Sequence, residues 1–350
     1  MKTVATIALK PGMILAENIL HHGNILCPKD TVLEQTTIDK LNRFSIMCVT
    51  IMEEIDFATT HYERLRFNEK FKLFEEKHNQ NLLLYKILMQ TFFATNQLVT
   101  EDSFMSIYND MADTYSSGTE LLDFIYNLMP NEDELTFNHC LNSSLLAGEI
   151  AKWMNLPAED TQDLIISCFY YDIGKLRLPY EILWKSGKLT PEEFELVKKH
   201  AQLGYDGVFF TPLKDKIKNA ILMHHERMDG SGYPNRMHGN NIPLIARYIA
   251  IIDTYIAMAS PRSYRNAMTP LQILGFFEKN IEKYDTEILL PVMRRIADAQ
   301  IGTCVQLSDD SQWDVFIIHP NNLSRPILKN NQAQVLDLMN RPDLEIIKIV

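Results

Sequence analysis

The chain of 350 residues has only five cysteines, and no two of them share a ligand or disulfide spacing. Cys27, Cys48, Cys140, Cys168 and Cys304 are scattered, which excludes a zinc-ribbon or disulfide framework and fits a reducing compartment. A long apolar run is missing too. The start, MKTVATIALKPGM, lacks the core of a signal peptide, and the most apolar stretch, Ile242 to Met258, is broken by Arg247 and Asp253. No membrane span and a cytoplasmic location are expected. Positive charge is in deficit, leaving a formal net charge of -11. Such a surface has no general affinity for nucleic acid or an anionic membrane, so an anionic ligand has to be held by a local cluster of Lys and Arg. What is present, 46% hydrophobic and 23% charged residues, is the composition of an ordinary globular protein with one sizeable core and small accessory domains.

Glycine and proline almost vanish between Phe57 and Met129, where Glu, Lys, Leu, Phe and Met predominate. Long amphipathic helices are expected there, able to connect, relay or dimerise. On either side the punctuation returns. Met1 to about Glu54 shows short β-rich runs separated by Pro11-Gly12, His22-Gly23-Asn24 and Pro28-Lys29-Asp30, with one short helix over Thr37 to Arg43. After Pro130, four or five helices run to about Gln300, and the apolar runs TCVQL, DVFIIH and LEIIKIV then predict a second small β unit. The expected division is a β-rich domain over 1–55, a helical connector over 56–130, a helical domain over 131–300 and a β-rich extension over 301–350.

The helices after Pro130 carry the chemistry. His139, Ser143 and Ala147 share a face at i, i+4, i+8, and Ile165, Cys168, Phe169 and Asp172 follow i, i+3, i+4, i+7, so His139 and Asp172 point inward. Thr190-Pro191-Glu192-Glu193 supplies an N-cap, a first-turn proline and a capping-box glutamate to a helix on which Val197, His200 and Gly204 share a face. Ile217, Ile221 and His224 form the next stripe, with His225 beside it, and Asp253 lies next to the stripe Ile245, Ile249, Ile252 and Ile256. A lone inward histidine is more often satisfied by a backbone carbonyl than used as a ligand. Two inward aspartates with four inward histidines are another matter, since burying even a merely polar group unpaired costs about 2–7 kcal/mol. They are hard to satisfy separately and easy to satisfy around a shared pair of divalent cations. Imidazole with carboxylate suits Fe, Mn, Zn, Ni or Co. Asp172 can bridge two such ions, an arrangement suited to phosphoester hydrolysis.

A second constellation, His224-His225-Glu226-Arg227-Met228-Asp229-Gly230-Ser231-Gly232-Tyr233-Pro234, reads on its glycines alone as a helix end and a loop. Directly after two inward histidines it is also where a substrate would be clamped, with Tyr233 offering a stacking face and a hydroxyl. Lys175 and Arg177 follow Asp172, and Arg262 and Arg265 follow Asp253. Together they supply the local positive field that the acidic whole lacks, as holding phosphates requires.

The order His139, Tyr171-Asp172-Ile-Gly-Lys175, His200, His224-His225-Glu-Arg-Met-Asp-Gly-Ser-Gly232-Tyr233-Pro234, Arg247, Asp253 and Arg262-Ser-Tyr264-Arg265 resembles the HD-GYP family of cyclic di-GMP phosphodiesterases, over about Asn131 to Gln300. The small N-terminal domain and the Ile-Gly-Thr extension also resemble segments that accompany many members. The resemblance implies a mainly α fold, an all-helical bundle of the HD superfamily. It implies metal ligation by His139, Asp172, His200, His224, His225 and Asp253, with Asp172 bridging. It also implies phosphate contacts from Lys175, Arg262 and Arg265, and a guanine side lined by Gly232 and Tyr233. Two divalent ions are implied, commonly iron or manganese, with zinc, nickel or cobalt as further candidates, and the product is the linear dinucleotide or GMP.

Three positions depart from the family. Tyr171 stands where the HD histidine belongs, Ile256 replaces an acidic residue three positions after Asp253, and Leu135 replaces a glutamate one turn before His139. A two-metal site is then the ceiling, and the phenol of Tyr171 is a poor ligand because its reference pKa is about 10. Three functions stay open. One is a cyclic di-GMP phosphodiesterase with an altered, slow centre. Another is an inactive cyclic di-GMP receptor or scaffold that engages a partner such as a cyclic di-GMP synthase, with the connector offering a homodimer contact. A nucleotide phosphohydrolase of the wider HD superfamily is the third.

Overall fold

Contacts divide the chain into two units, Met1–Phe67 and Asn68–Val350. A computed structural model describes residues 2–6, 9–21, 24–44, 46–52, 61–95, 97–129, 135–183, 185, 187–260 and 267–350. In the first unit, β1 (Lys2–Ala5), β2 (Ile19–His21), β3 (Asn24–Cys27), α1 (Gln35–Arg43), β4 (Cys48–Ile51) and α2 (His61–Leu65) follow one another. β1 pairs antiparallel with β4, and β2 with β3. Ile38 and Leu41 of α1 turn inward on Leu15, Leu33 and Val49 to make its core.

The second unit runs through α3 (Glu69–Thr95), α4 (Glu101–Ala112), α5 (Gly118–Asn127), α6 (Leu135–Trp153), α7 (Ala158–Tyr170), α8 (Tyr180–Leu183), α9 (Pro191–Lys198), α10 (His200–Val208), α11 (Asp215–Met223), α12 (Leu244–Ala259), α13 (Pro270–Lys279) and α14 (Thr286–Asp298). β5 (Cys304–Leu307), β6 (Gln312–His319), β7 (Asn322–Lys329), β8 (Val335–Asp337) and β9 (Ile346–Ile349) then form an antiparallel sheet in the order β8-β7-β6-β5-β9, with β7 against α13 and α14. The chain is therefore mainly α, a helical bundle with small β-rich segments near both ends of the sequence. The helices that the sequence assigns to a connector pack into this bundle, α3 on α4 and α6, and α4 on α7. Among the described residues, no helix is long and apolar enough to cross a membrane.

Local rules place the helix starts. Thr100, Ser117, Thr190 and Thr269 each accept an N-terminal backbone N–H, and Thr190 with Glu193 and Thr269 with Gln272 close reciprocal capping boxes. α6 is buried without a break from Phe137 to Ala151, although Asn138, His139, Asn142, Ser143, Ser144 and Glu149 are polar. A helix buried all round is ordinarily apolar. The polar groups of α6 must therefore find partners on its neighbours, and that need assembles the site.

Candidate metal centre

Asp172 is not on the helix that its periodicity implies. α7 stops at Tyr170, and Asp172 at φ -101°, ψ 2° opens a short 3-10 turn, Ile173–Arg177. This sparsely populated bridge region aims the carboxylate across the end of α7 instead of along its stripe. The helix begun at Thr190 likewise breaks at Lys199, so His200 is the first residue of α10. Gly174 lets the two breaks meet: a Cβ there would lie 1.9 Å from the His200 carbonyl oxygen and 2.5 Å from the Gly204 nitrogen. Only glycine allows this backbone-to-backbone approach.

The six ligand-type residues converge. Asp172, His200, His224 and His225 form one group whose ligand atoms lie within 4.8 Å of one another, and His139, Asp172 and Asp253 form a second, so Asp172 is common to both. His200 Nδ1 lies 2.6 Å from the Val197 carbonyl and His224 Nδ1 2.7 Å from that of Ile221. Each ring nitrogen donates there, which fixes the tautomer and leaves Nε2 as a bare lone pair. The two Nε2 atoms are 3.2 Å apart, and Asp172 Oδ1 is 3.3 Å from one and 3.7 Å from the other. Asp172 Oδ1 is buried without a hydrogen-bond partner, as is His139 Nδ1. Three acceptors facing one another with no proton between them repel, and a cation in their midst would reverse the sign. The residues therefore fit a divalent metal in donor type, protonation and placement.

Burial holds His200, His224 and His225 neutral, as ligation requires. It lowers the His200 pKa despite Asp172 nearby, carries His224 down to about 3 with help from His200, and pushes His225 well below the usual range. Burial alone would raise Asp172, but the Lys175 ammonium 2.5 Å from Oδ2, together with His200 and His139, outweighs it and the net shift is downward. Asp253 also ends well below the carboxylate range, its burial more than offset by the hydrogen bond from His139 Nε2 at 2.9 Å together with the nearby His225 and Lys175.

Tyr171 is fully buried beside this cluster. Its ring stands edge-on to His224 at 5.0 Å, and its hydroxyl lies 3.0 Å from Ser143 Oγ, one turn beyond His139 on α6. Burial, then the nearby Asp253 and Asp172, drives its pKa well above 10, so the phenol stays protonated. Ile256 is buried on α12 and Leu135 begins α6, so neither adds a ligand-type group.

The glycine-rich loop closes one side. Tyr233 stacks on His225 at 4.6 Å, and a Cβ on Gly232 would meet the backbone of Glu226, Arg227 and His225 at 2.4–2.5 Å. The buried Glu226 carboxylate accepts from the Asn235 and Met237 backbone N–H groups at 2.6 and 3.0 Å, latching the loop to the end of α11. Between loop and centre opens a cavity of about 440 Å³ whose wall includes His225, Gly232, Tyr233, Lys198, Arg227 and Arg236. Lys175 sits on Asp172 and is not in this wall, and Arg177 turns away over the Phe93 ring at 5.5 Å. Arg262 and Arg265 lie outside the described residues.

Several contributors escaped the sequence reading. The Lys-Lys-His run before His200 was a local cue for Lys198, and Glu226 stands inside the quoted loop motif, yet only the fold shows what its carboxylate holds. Lys283 reaches the cavity wall from beyond α13 and had no local cue.

The model of the HD domain family matches residues 123–288, the part of the chain that carries all six converging residues. A cyclic di-GMP phosphodiesterase of Thermotoga maritima is 33% identical over 169 residues, 48% of this chain and 44% of its own length. A cyclic di-GMP phosphodiesterase response regulator of Xanthomonas campestris is 37% identical over 128 residues, 36% of this chain and 34% of its own. The 3'3'-cGAMP-specific phosphodiesterase 1 of Vibrio cholerae is 26% identical over 304 residues, 80% of this chain and 69% of its own. The chain thus spans less than half the length of the first two relatives. Residues 123–288 are similar to an HD domain and carry Tyr171-Asp172 where the HD-GYP motif has a His-Asp pair.

Proposed function

We propose that the chain hydrolyses cyclic di-GMP at a dinuclear centre of iron or manganese, His139, Asp172 and Asp253 holding one ion and Asp172, His200, His224 and His225 the other. The observation that carries this reading is the carboxylate shared by two ligand groups, with an unpartnered oxygen facing two bare imidazole nitrogens. When bound, the cations supply Lewis acidity toward a phosphoryl oxygen. Lys175 adds a positive charge on the same carboxylate, placed to meet charge developing on phosphate. Tyr233 and Gly232 shape the nucleotide side of the cavity, and Arg262 and Arg265 are assigned to the phosphates on their motif alone. Names of similar proteins agree on cyclic dinucleotides and divide between cyclic di-GMP and cGAMP, so the base is the open part of the assignment.

One observation favours a second reading. The Tyr171 hydroxyl shares a hydrogen bond with Ser143 and stays protonated, so the ion at His139, Asp172 and Asp253 has one ligand fewer than an HD pair would give it. A centre weakened in that way suits a receptor that binds the nucleotide without cleaving it, or a scaffold for a partner such as a cyclic di-GMP synthase. Metal content after anaerobic loading with iron or manganese, followed by turnover of cyclic di-GMP, separates the readings. Metal with formation of linear dinucleotide or GMP supports the phosphodiesterase. Metal with nucleotide binding and no product supports the receptor, and a protein that takes up no metal sinks the dinuclear reading.

A further inference from the structure

We infer that Arg236, with Lys198 and Lys283, forms a second anion site that holds the phosphate of the cyclic dinucleotide which is not being cleaved. The inference rests on the cyclic-dinucleotide reading above and assigns residues that neither the motif nor the ligand groups contain.

The cavity beside His225 has four cationic side chains in its wall, Lys198, Arg227, Arg236 and Lys283, and no carboxylate. In a chain with a net charge of -11 that is a marked local reversal. Three of the four have partners in the protein. Arg227 lies over the Tyr284 ring at 5.4 Å and donates to the His224 and Glu226 carbonyls. Lys198 reaches Glu195 at 2.5 Å and sits over the rings of Phe194 and Tyr233, and Lys283 donates to Asn280 Oδ1 at 2.8 Å. Arg236 has no ion pair, hydrogen bond or ring partner among the described residues.

Its backbone makes the same point independently. Arg236 has φ +54°, the left-handed region where a Cβ is strained and glycine is at ease. The loop is latched on both sides of it, through Asn235 and Met237 to Glu226, so the conformation is imposed and the guanidinium is presented at the wall. Strained residues of this kind gather where a ligand is held. Guanidinium is also the group that pairs with phosphate through a planar fork.

The chemistry of the ligand supplies the rest. A cyclic dinucleotide carries two phosphates in one ring, so fixing one at a metal centre obliges the other to lie to its side with a charge to satisfy. His225 belongs both to the ligand group and to the cavity wall, which makes this cavity the adjoining space. Exposed Phe194 and half-buried Tyr233 flank it with aromatic faces suited to a base, so phosphate and base recognition coexist there.

Arg236→Gly removes the charge and relieves the backbone at once, so it is not expected to harm folding. The measurement is calorimetric titration of the manganese-loaded full chain with the phosphorothioate analogue of cyclic di-GMP, which keeps both charges and resists cleavage. The expected result is binding weakened about tenfold, with a shallower salt dependence and metal content per chain unchanged. Arg236→Lys is expected to restore part of the affinity and the salt slope. Binding within twofold of the parent for both Arg236→Gly and the double variant Lys198→Ala, Lys283→Ala overturns the inference while leaving the cyclic-dinucleotide reading intact. A metal-loaded parent that does not bind the analogue overturns that reading and this one together.

Discussion

Gly174→Ala tests whether the ligand groups depend on the backbone contact between the 3-10 turn and α10. The added methyl would stand 1.9 Å from the His200 carbonyl oxygen, 2.5 Å from the Gly204 nitrogen and 2.8 Å from the His200 carbonyl carbon. All three obstacles are main chain, so no side chain can swing aside. The turn and α10 must separate by about 1.5 Å to regain ordinary contact, and the 3.3 Å approach of Asp172 Oδ1 to His200 Nε2 opens with them. Overpacking of this kind costs about 3 kcal/mol, and roughly 2–4 °C of melting temperature is lost per kcal/mol in a domain of this size. Displaced first ligands should weaken metal binding roughly 10–100-fold. Gly204→Ala is the control, because its methyl meets the Ile221 side chain at 3.0 Å and the Gly174 nitrogen only at 3.4 Å, which predicts about 1 kcal/mol or less. Denaturant unfolding and calorimetric manganese titration of both variants give the answer. If Gly174→Ala keeps the parent's midpoint and metal affinity, or if the two alanine variants cannot be told apart, the contact does not position the centre.

Tyr171→Phe removes the hydroxyl that meets Ser143 and should cost about 1 kcal/mol of stability while leaving metal stoichiometry as it was; a fall in metal content would show that the phenol is a ligand after all. Tyr171→His restores the imidazole of the family pattern beside His139 and His224, and is expected to raise metal content per chain and turnover of cyclic di-GMP, an increase that elemental analysis and product chromatography would detect. Glu226→Ala deprives the Asn235 and Met237 amides of their acceptor, so hydrogen exchange at those two positions should quicken and nucleotide affinity should fall with metal content unchanged; equal protection in variant and parent would show that the carboxylate does not latch the loop.

The six ligand-type residues were legible because polar groups on apolar stripes are expensive, and a sequence that keeps six of them on successive helices needs a common partner for them. Their exact positions were less legible. Periodicity reports the side of a helix but not its end, and neither Tyr170-Tyr171-Asp172 nor Lys198-Lys199-His200 carries the glycine or proline that usually announces one. The two breaks meet in a tertiary contact, Gly174 against the backbone of His200 and Gly204, which no local sequence signal announces. The cationic wall was harder still, since Lys198, Arg227, Arg236 and Lys283 span more than eighty positions and only the fold brings them to one cavity.

The long helix α3 shows the same limit from the other side. Its composition predicts amphipathic character and suggests a connector, but amphipathicity says nothing of what the inward face meets. His78 lies 2.9 Å from Asn142 on α6, one turn from His139, and the Tyr85 hydroxyl donates to the Phe169 carbonyl in the last turn of α7, just before Tyr171 and Asp172. Both bonds are buried, and breaking either would leave a polar group without water beside the ligand groups. α3 thus packs behind the segments that carry the ligand groups. The helix that carries His139 and the end of α7 are held by bonds to residues that the sequence places some sixty to ninety positions earlier.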